Sequence, residues 1–455
     1  LNHGDDQRFL AMTHHGKVGL EPMVPSLDDA PASERPMTEQ QTCRADVLVL
    51  GAGIIGVSVA LHLQQRGRSV ILVDRRGAGE ETSYGNAGLI ERSSVVPYGA
   101  PRELTKLLRY AFNRSADVHF DWLHLPRIAP WLWRFWRESA PKRLARAAAD
   151  MRPLIEQSVI EHEALMTAAG ALPRLRKTGW IEGYRSERTF EQARTAAEAL
   201  QPFGLNYAFL DRAELSRREP HLSDTLMGAV HWLDPATVAD PGALVKAYAE
   251  HFVAQGGAFL HGDASRLRRD DNKWSIATED GPIQAREVVV ALGPWSGAVC
   301  RSLGYTVPLA MKRGYHVHFK TDADASLNHP VVDVDAGFLL APMTRGIRLT
   351  TGVEFAPRDR RPNPVQLDNT EPLAREIFPL GQRIEPTPWM GSRPCLPDMR
   401  PVIGRGFRHK GLWFAFGHNH HGLTLGPVTG RLLAEMMTGT PTFTNPSPYA
   451  LERFG

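Results

Sequence analysis

Cysteine is scarce in this chain. Cys43, Cys300 and Cys395 are the three present in 455 residues, too few and too widely spaced for a disulfide framework or a CxxC metal or redox motif. A reducing, cytoplasmic setting is the matching expectation. Charge of one sign is not in excess: 53 basic residues face 50 acidic ones, for a formal net charge of +3. That balance does not point to nucleic-acid binding, which would want a clustered basic face. Long apolar runs are also lacking, so no segment is expected to span a bilayer. The first 36 residues have no apolar centre of the kind a secretory signal carries, and Pro25 to Pro36 is rich in Pro, Ser, Asp and Ala. Residues 1–44 therefore read as a flexible leader, with Met37 placed where a shorter native chain would begin. What remains is an ordinary globular composition, 42% hydrophobic and 23% charged. Its length exceeds the size at which one core stops growing, so two domains are expected, each open to construction from discontinuous segments.

Ala45 to Leu50 (ADVLVL) has the apolar, β-branched character of a buried parallel strand and stops at Gly51. GAGIIG follows, so Gly51, Gly53 and Gly56 stand at GxGxxG spacing, and Val57 to Gln65 continues with apolar residues at helical intervals up to Gly67. Gly51 permits the tight turn, Gly53 leaves room for a pyrophosphate beside the backbone, and Gly56 lets helix and strand pack closely. The helix N-terminus then presents free N–H groups and a positive dipole end to phosphate. A second strand, Ser69 to Val73, ends at Asp74, eighteen residues beyond Gly56, where a carboxylate would meet ribose hydroxyls. Strand, turn, helix and terminal acid together form a dinucleotide signature. The motif itself does not choose between NAD and FAD, since both carry an ADP moiety.

Three further segments bear on that choice. Thr82-Ser83-Tyr84-Gly85-Asn86-Ala87-Gly88 follows the second strand; Glu287 to Ala291 (EVVVA) leads into Leu292-Gly293-Pro294-Trp295-Ser296; and the strand Trp413 to Phe416 runs into GHNHHGLTLGPVTG, Gly417 to Gly430, ahead of a helical pattern. With GAGIIG they resemble the FAD-dependent amine oxidoreductases that include D-amino acid oxidase, glycine oxidase, sarcosine oxidase and the bacterial D-amino acid dehydrogenases, over nearly all of residues 45–440. The resemblance implies FAD. It places Thr82, Ser83, Asn86, Ala87, Gly88 and Leu89 along the flavin side of the cofactor, with Ile54, Ile55, Arg75, Ala264, Leu292, Gly293, Trp295, Gly391 and Gly417 among its contacts. Gly422, Leu423 and Thr424 would open a helix at the flavin pyrimidine, where the N-terminal dipole stabilises negative charge on reduced flavin. His418 and His421 are expected at the flavin or the pocket. A metal reading of His418, His420 and His421 lacks a companion carboxylate or cysteine at ligand spacing.

The segments between read as a substrate domain. Thr178 to Gly183, Gly228 to Leu233 and Arg313 to Lys320 are expected strands, several with the period-2 alternation of a sheet exposed on one face, and Pro241 to Gln255 is an amphipathic helix returning the chain to the cofactor domain at Ala258. Trp389-Met390-Gly391-Ser392-Arg393-Pro394 resembles the family's arginine–proline motif, which implies that Arg393 binds the substrate carboxylate; a guanidinium offers a planar, permanently charged fork for that purpose. Tyr315 is the next candidate, as a donor to a second oxygen or the amine region, and His421 a third. Lys312 is a candidate cation for oxygen reaction, and Cys395 is expected to be a small buried residue rather than a point of flavin attachment. No acid or base is assigned, because the cofactor carries the redox step. Residues 103–152 read as helical, with Trp131, Trp133, Phe135 and Trp136 among Arg134, Arg137, Lys142, Arg143 and Arg146; such a helix either lies on a membrane interface or covers a domain or subunit contact.

The expected fold is α/β, a Rossmann-type FAD-binding domain (residues 45–100, 236–304 and 388–445) with a discontinuous, mainly antiparallel α+β substrate domain (101–235, including the helical segment, and 305–387) and a tail, 446–455. The resemblance implies oxidative deamination of a small amino acid, proline-like substrates included. Hydride would pass from the α-carbon to flavin N5, the imine would hydrolyse to a 2-oxo acid, and electrons would go to a membrane quinone or other non-oxygen acceptor. The enzyme is then a D-amino acid dehydrogenase, cytoplasmic or peripheral on the inner membrane face. The alternatives are an oxygen-using oxidase of glycine, sarcosine or another secondary amine, a flavin-carrying subunit of a heteromeric dehydrogenase, and, more distantly, an NAD enzyme.

Overall fold

Val47, Leu48, Val49 and Leu50 are each fully buried, because their strand, Cys43–Leu50, has a parallel neighbour on both edges: Val70–Asp74 on one and Gly281–Val290 on the other. Each such side chain contributes about 1.5–3 kcal/mol by leaving water. The computed structural model describes residues 43–113, 116–322 and 324–455, so the expected leader lies almost wholly outside the described residues. The sheet built on this strand is an eight-stranded one. Ala258–His261 joins beyond Val70–Asp74, and the end of Gly281–Val290 takes Leu412–Phe416 as a further parallel partner, with Val288 opposite Leu412. Strands as far apart in sequence as Cys43–Leu50 and Leu412–Phe416 thus share one parallel core, with the antiparallel strands Lys273–Thr278 and Val402–Arg405 on its flanks.

Helix Ile54–Gln64 packs against the C-terminal helix Gly422–Thr438. Gly426 and Gly430 make this possible: a Cβ on Gly426 would stand 2.5 Å from Ile54 Cγ1, and one on Gly430 would stand 2.6 Å from the Ser58 carbonyl oxygen. Close contact brings the N-termini of both helices to the same cavity.

The second sheet has eleven strands and is mainly antiparallel. Its centre is the long strand Ala310–Thr321, which pairs with Trp389–Cys395 so that Lys312 lies opposite Arg393 and Gly314 opposite Gly391. Tyr315, Val317 and Phe319 point to one face, into a core shared with Leu367, Ala374 and Ile377 of helix Val365–Ile377. Alternation places Lys312, Gly314, His316 and His318 on the other face, toward the first sheet. The expected exposed face is therefore absent. Gly228–Trp232 is buried at all five positions, because helices cover one side of this sheet and the first sheet covers the other. The segment 103–152 also differs from a single helical reading. It holds helices Leu104–Ala111 and Leu125–Glu138 and the start of Pro141–Ala168, with the strand Val118–Phe120 between the first two. Pro126 and Pro141 sit in the first turns of their helices, where a missing N–H costs nothing.

Candidate functional site

A cavity of about 1360 Å³ runs between the two sheets, larger than a drug-sized ligand needs. At one end is the turn after Leu50. Gly51 has φ +105°, and a Cβ there would stand 2.5 Å from the Ala291 carbonyl oxygen; a Cβ on Gly56 would stand 1.7 Å from the carbonyl oxygen of Gly51. Both positions are closed to any larger residue. Gly53 ends the turn as the N-cap of Ile54–Gln64 and has no capping side chain of its own, but Ile54 N–H donates to Ser83 Oγ at 3.0 Å. Asp74 receives Ala52 N–H at 2.7 Å on one oxygen and Arg76 N–H at 3.1 Å on the other, which fixes its carboxylate at the end of the second strand. Arg75 stacks 4.9 Å from the centre of the Trp295 ring.

The loop after this strand is held from both sides. Thr82 Oγ1 donates to the Ser392 carbonyl at 3.0 Å, Asn86 Oδ1 accepts Gly88 N–H at 2.8 Å, and Arg348 from the second sheet donates to the carbonyls of Tyr84 (3.2 Å) and Asn86. Arg348 is itself oriented by His318, whose Nε2 accepts from Arg348 Nε at 3.0 Å while Nδ1 donates to Glu385 at 2.9 Å. That assignment of protons follows from the partners. Arg348 gave no signal in sequence, since an isolated arginine in a strand pattern is unremarkable.

These residues suit a flavin dinucleotide on the structure's own terms. Gly51, Gly53, Ile54, Ile55, Asp74, Arg75, Thr82, Ser83, Asn86, Ala87, Leu89, Ala264, Leu292, Gly293, Trp295, Gly391, Gly417, His418, Gly422 and Leu423 all line the one cavity. Gly293 and Gly422 have open space where a side chain would stand. Two other expected contacts lie just behind the wall. Gly88 packs against the Val238 carbonyl, and Thr424 Oγ1 accepts the Glu91 N–H at 3.1 Å. The C-terminal helix begins at Gly422 with no side chain capping it, so its first N–H groups are available to an anionic or carbonyl-rich ligand edge. His418 is buried and held neutral, its pKa pushed down to about 3 by burial and by His421, and its Nε2 meets Thr429 Oγ1 at 3.0 Å. His421 stacks on Tyr98, and its Nδ1, without a hydrogen-bond partner, lies 3.9 Å from Glu91 Oε1.

At the other end stands Arg393, aimed across the strand pair at Gly314. A Cβ on Gly314 would come within 2.3 Å of Nη1 and 2.8 Å of Cζ, so the glycine supplies the space the guanidinium occupies. Nη1 is buried without a hydrogen-bond partner, and burial lowers the pKa of the group. An unsatisfied buried guanidinium on a cavity wall is a site prepared for an anion. Tyr315 also borders the cavity, but its side chain packs into the core on the opposite face of the strand from Gly314. Its hydroxyl is taken up by Arg313 Nη2 at 2.5 Å, Glu354 Oε2 at 2.5 Å and Asn363 N–H at 3.0 Å, because residues one apart in a strand face opposite sides of the sheet. Cys395 is buried, and burial pushes its thiol up. Glu182, also on the wall, accepts from the Tyr184 hydroxyl at 2.8 Å, and burial raises its pKa. Neither Glu91 nor Glu182 stood out in sequence, where a single glutamate in a strand or turn carries no pattern.

The aromatic helix divides between wall and rim. Trp131 and Phe135 are buried, Trp131 donating to the Pro308 carbonyl at 3.0 Å, whereas Trp133 is 61% exposed and stacks on Trp136 at 5.3 Å. Leu104, Leu108, Phe112, Trp122 and Leu123 are exposed as well, and Trp122 and Trp133 border the cavity. No helix of the described residues is long and apolar enough to cross a membrane.

Comparison with known proteins adds the following. A family model described as FAD dependent oxidoreductase matches residues 46–436. The chain is 29% identical to a D-amino-acid oxidase of Bradyrhizobium diazoefficiens, over 90% of this chain and 98% of that protein. It is 30% identical to a D-amino acid dehydrogenase of Paramagnetospirillum magneticum, again over 90% and 98%. Among solved structures, the glycine oxidase of Geobacillus kaustophilus superposes with a TM-score of 0.69 at 22% identity, covering 90% of this chain and 99% of that one.

Proposed function

The chain belongs to the family of FAD-dependent oxidoreductases, and from that premise we propose that it is a D-amino acid dehydrogenase. FAD, when bound, takes up the two electrons and the hydrogen released as a carbon–nitrogen single bond becomes an imine. The chain's own residues hold, orient and shield. Gly51, Gly53 and Ser83 would hold the pyrophosphate at the first helix, Asp74 would bind the ribose hydroxyls, and the backbone N–H groups of Gly422, Leu423 and Thr424 would meet the flavin's electron-rich edge. The sheet carrying Cys43–Leu50 serves as the cofactor domain and the one carrying Ala310–Thr321 as the substrate domain.

The observation that carries the reading is Arg393: a guanidinium on the cavity wall, given its space by Gly314 and left without a partner at Nη1. A substrate carboxylate satisfies that group and fixes the α-carbon relative to the cofactor, which is the positioning that such a reaction requires. D-Amino acid specificity is supported by the named relatives at about 30% identity over most of their length. Transfer of electrons to a quinone at a membrane surface is supported by the exposed apolar Leu104, Phe112, Trp122, Leu123 and Trp133 of the segment 103–152, interleaved in sequence with exposed Arg109, Arg127, Arg134 and Arg137.

The test is anaerobic reduction of the purified, FAD-loaded protein by D- and L-amino acids, followed by reoxidation with a quinone-type dye or with oxygen. Bleaching by D-amino acids and rapid turnover with the dye are expected. Bleaching by L-amino acids alone would overturn the substrate assignment, and stoichiometric peroxide with no dye turnover would overturn the acceptor.

A further inference from the structure

Lys312 is 7% exposed, lines the cavity, and lies directly opposite Arg393 on the same face of the strand pair. Directly opposed residues have Cβ atoms about 5 Å apart, so the two cationic side chains leave the sheet side by side. A lysine buried to this degree is ordinarily paired with a carboxylate. Here no carboxylate among the described residues pairs with it; its electrostatic neighbours are Cys395 and Arg393, the latter a like charge. The ammonium is surrounded instead by aromatic faces, with the ring centres of Phe135 at 4.3 Å, Phe355 at 5.6 Å and Trp131 at 5.7 Å. Aromatic rings stabilise a cation without neutralising it. Burial, and then Arg393, lower the pKa of the ammonium, and the surrounding rings oppose that loss of charge at the wall.

Two neighbouring buried cations repel each other. An anion bridging them removes the repulsion. Arg393 suffices for one carboxylate, and Lys312 stands where a second, carried on the substrate's side chain, would come to rest. Resting on the amino-acid reading above, we infer that the substrate is an amino dicarboxylic acid, with its α-carboxylate on Arg393 and its side-chain carboxylate on Lys312. Lys312 is then a residue that determines specificity. The charge of Glu91 acts on the Arg393 guanidinium but not on Lys312.

The experiment compares D-aspartate and D-glutamate with their neutral isosteres D-asparagine and D-glutamine as reductants of the FAD-loaded enzyme. In parallel, calorimetric binding of the unreactive probes succinate and butyrate is measured for the wild-type chain and for Lys312→Met, Lys312→Gln and Lys312→Arg. The expected result is a preference for the acidic member of each pair of at least about tenfold, which is the value of one well-placed ionic contact. Lys312→Met and Lys312→Gln should collapse that ratio in both turnover and binding, and Lys312→Arg should restore most of it. FAD content and Tm show which variants are folded, and the glutamine variant stands in if the methionine one is not. Equal or better use of the neutral isosteres, or a selectivity ratio unmoved in Lys312→Met and Lys312→Gln, would overturn the inference while leaving the D-amino acid reading intact. A wild-type selectivity that survives while only reoxidation slows would place Lys312 on the acceptor side and also overturn it. Failure of every amino acid to bleach the flavin would remove both readings together.

Discussion

Replacing Gly314 by alanine should disable the carboxylate site while leaving the fold almost untouched. The added Cβ would stand 2.3 Å from Arg393 Nη1 and 2.8 Å from both Cζ and Nη2, well inside contact distance, so the guanidinium must move. What moves is the far end of a flexible side chain and not backbone, and Gly314 is not among the residues with positive φ, so alanine fits the strand. An off-rotamer arginine costs about 0.5–1.5 kcal/mol, and exchanging glycine for alanine returns about 0.4–1 kcal/mol through the unfolded state. Stability should therefore change by less than about 1 kcal/mol. Binding is another matter. A hydrogen bond to a charged group contributes about 1.5–3 kcal/mol, so displacing the fork should weaken carboxylate binding roughly tenfold to a hundredfold. Anaerobic stopped-flow reduction with D-amino acid gives the substrate Kd directly, with FAD content and Tm as controls for folding. A Kd within twofold of wild type, at unchanged Tm, would show that Arg393 does not hold the carboxylate from the position Gly314 gives it.

Gly56→Ala should act on the fold instead. Its Cβ would fall 1.7 Å from the backbone oxygen of Gly51, an atom held in the turn, so several kcal/mol of stability and the bound FAD should be lost together; a soluble, yellow variant melting near wild type would contradict the packing described for the turn. Stability should also fall on acidification below pH 6.5. His62 (pushed to about 3), His162 (about 4) and His418 (about 3) are kept neutral chiefly by burial, so the unfolded chain takes up protons at these positions first. Each histidine then costs up to about 1.4 kcal/mol per pH unit, from 6.5 down toward its folded value. A Tm that stays flat between pH 7 and pH 5 would refute this sign.

The nucleotide-binding opening was readable because everything that specifies it is local. Apolar strand, glycine spacing, helix and terminal acid lie within one stretch of chain, and the strand and helix found, Cys43–Leu50 and Ile54–Gln64, differ from the expected ones by a few residues at their ends. The same holds for the loop 82–88 and the turn before Gly422, whose expected residues reach the same cavity or pack directly behind it. The helical reading of 103–152 passed over the strand Val118–Phe120, which is three residues long and forms only because Val353–Phe355 is there to pair with it. Tyr315 shows a different limit. An aromatic beside a candidate arginine strand invites a site role, but the side of the sheet it faces depends on register with partners distant in sequence.

Arg393 could be singled out from its motif, yet nothing near it in the chain reveals that Gly314 makes its space or that Lys312 stands beside it, eighty-one positions earlier. Arg348 clamping the loop at Tyr84 and Asn86, and Glu91 meeting His421, are of the same kind. By itself, then, the sequence determined the βαβ unit of the first sheet and the family resemblance that pointed to Arg393, since backbone geometry at glycines and strand–helix periodicity act over neighbouring residues. The tertiary structure alone decided which charges share a cavity and which are left unpaired. Cross-strand pairing and burial set the strength of every charge in the site, and both depend on partners that local pattern does not encode.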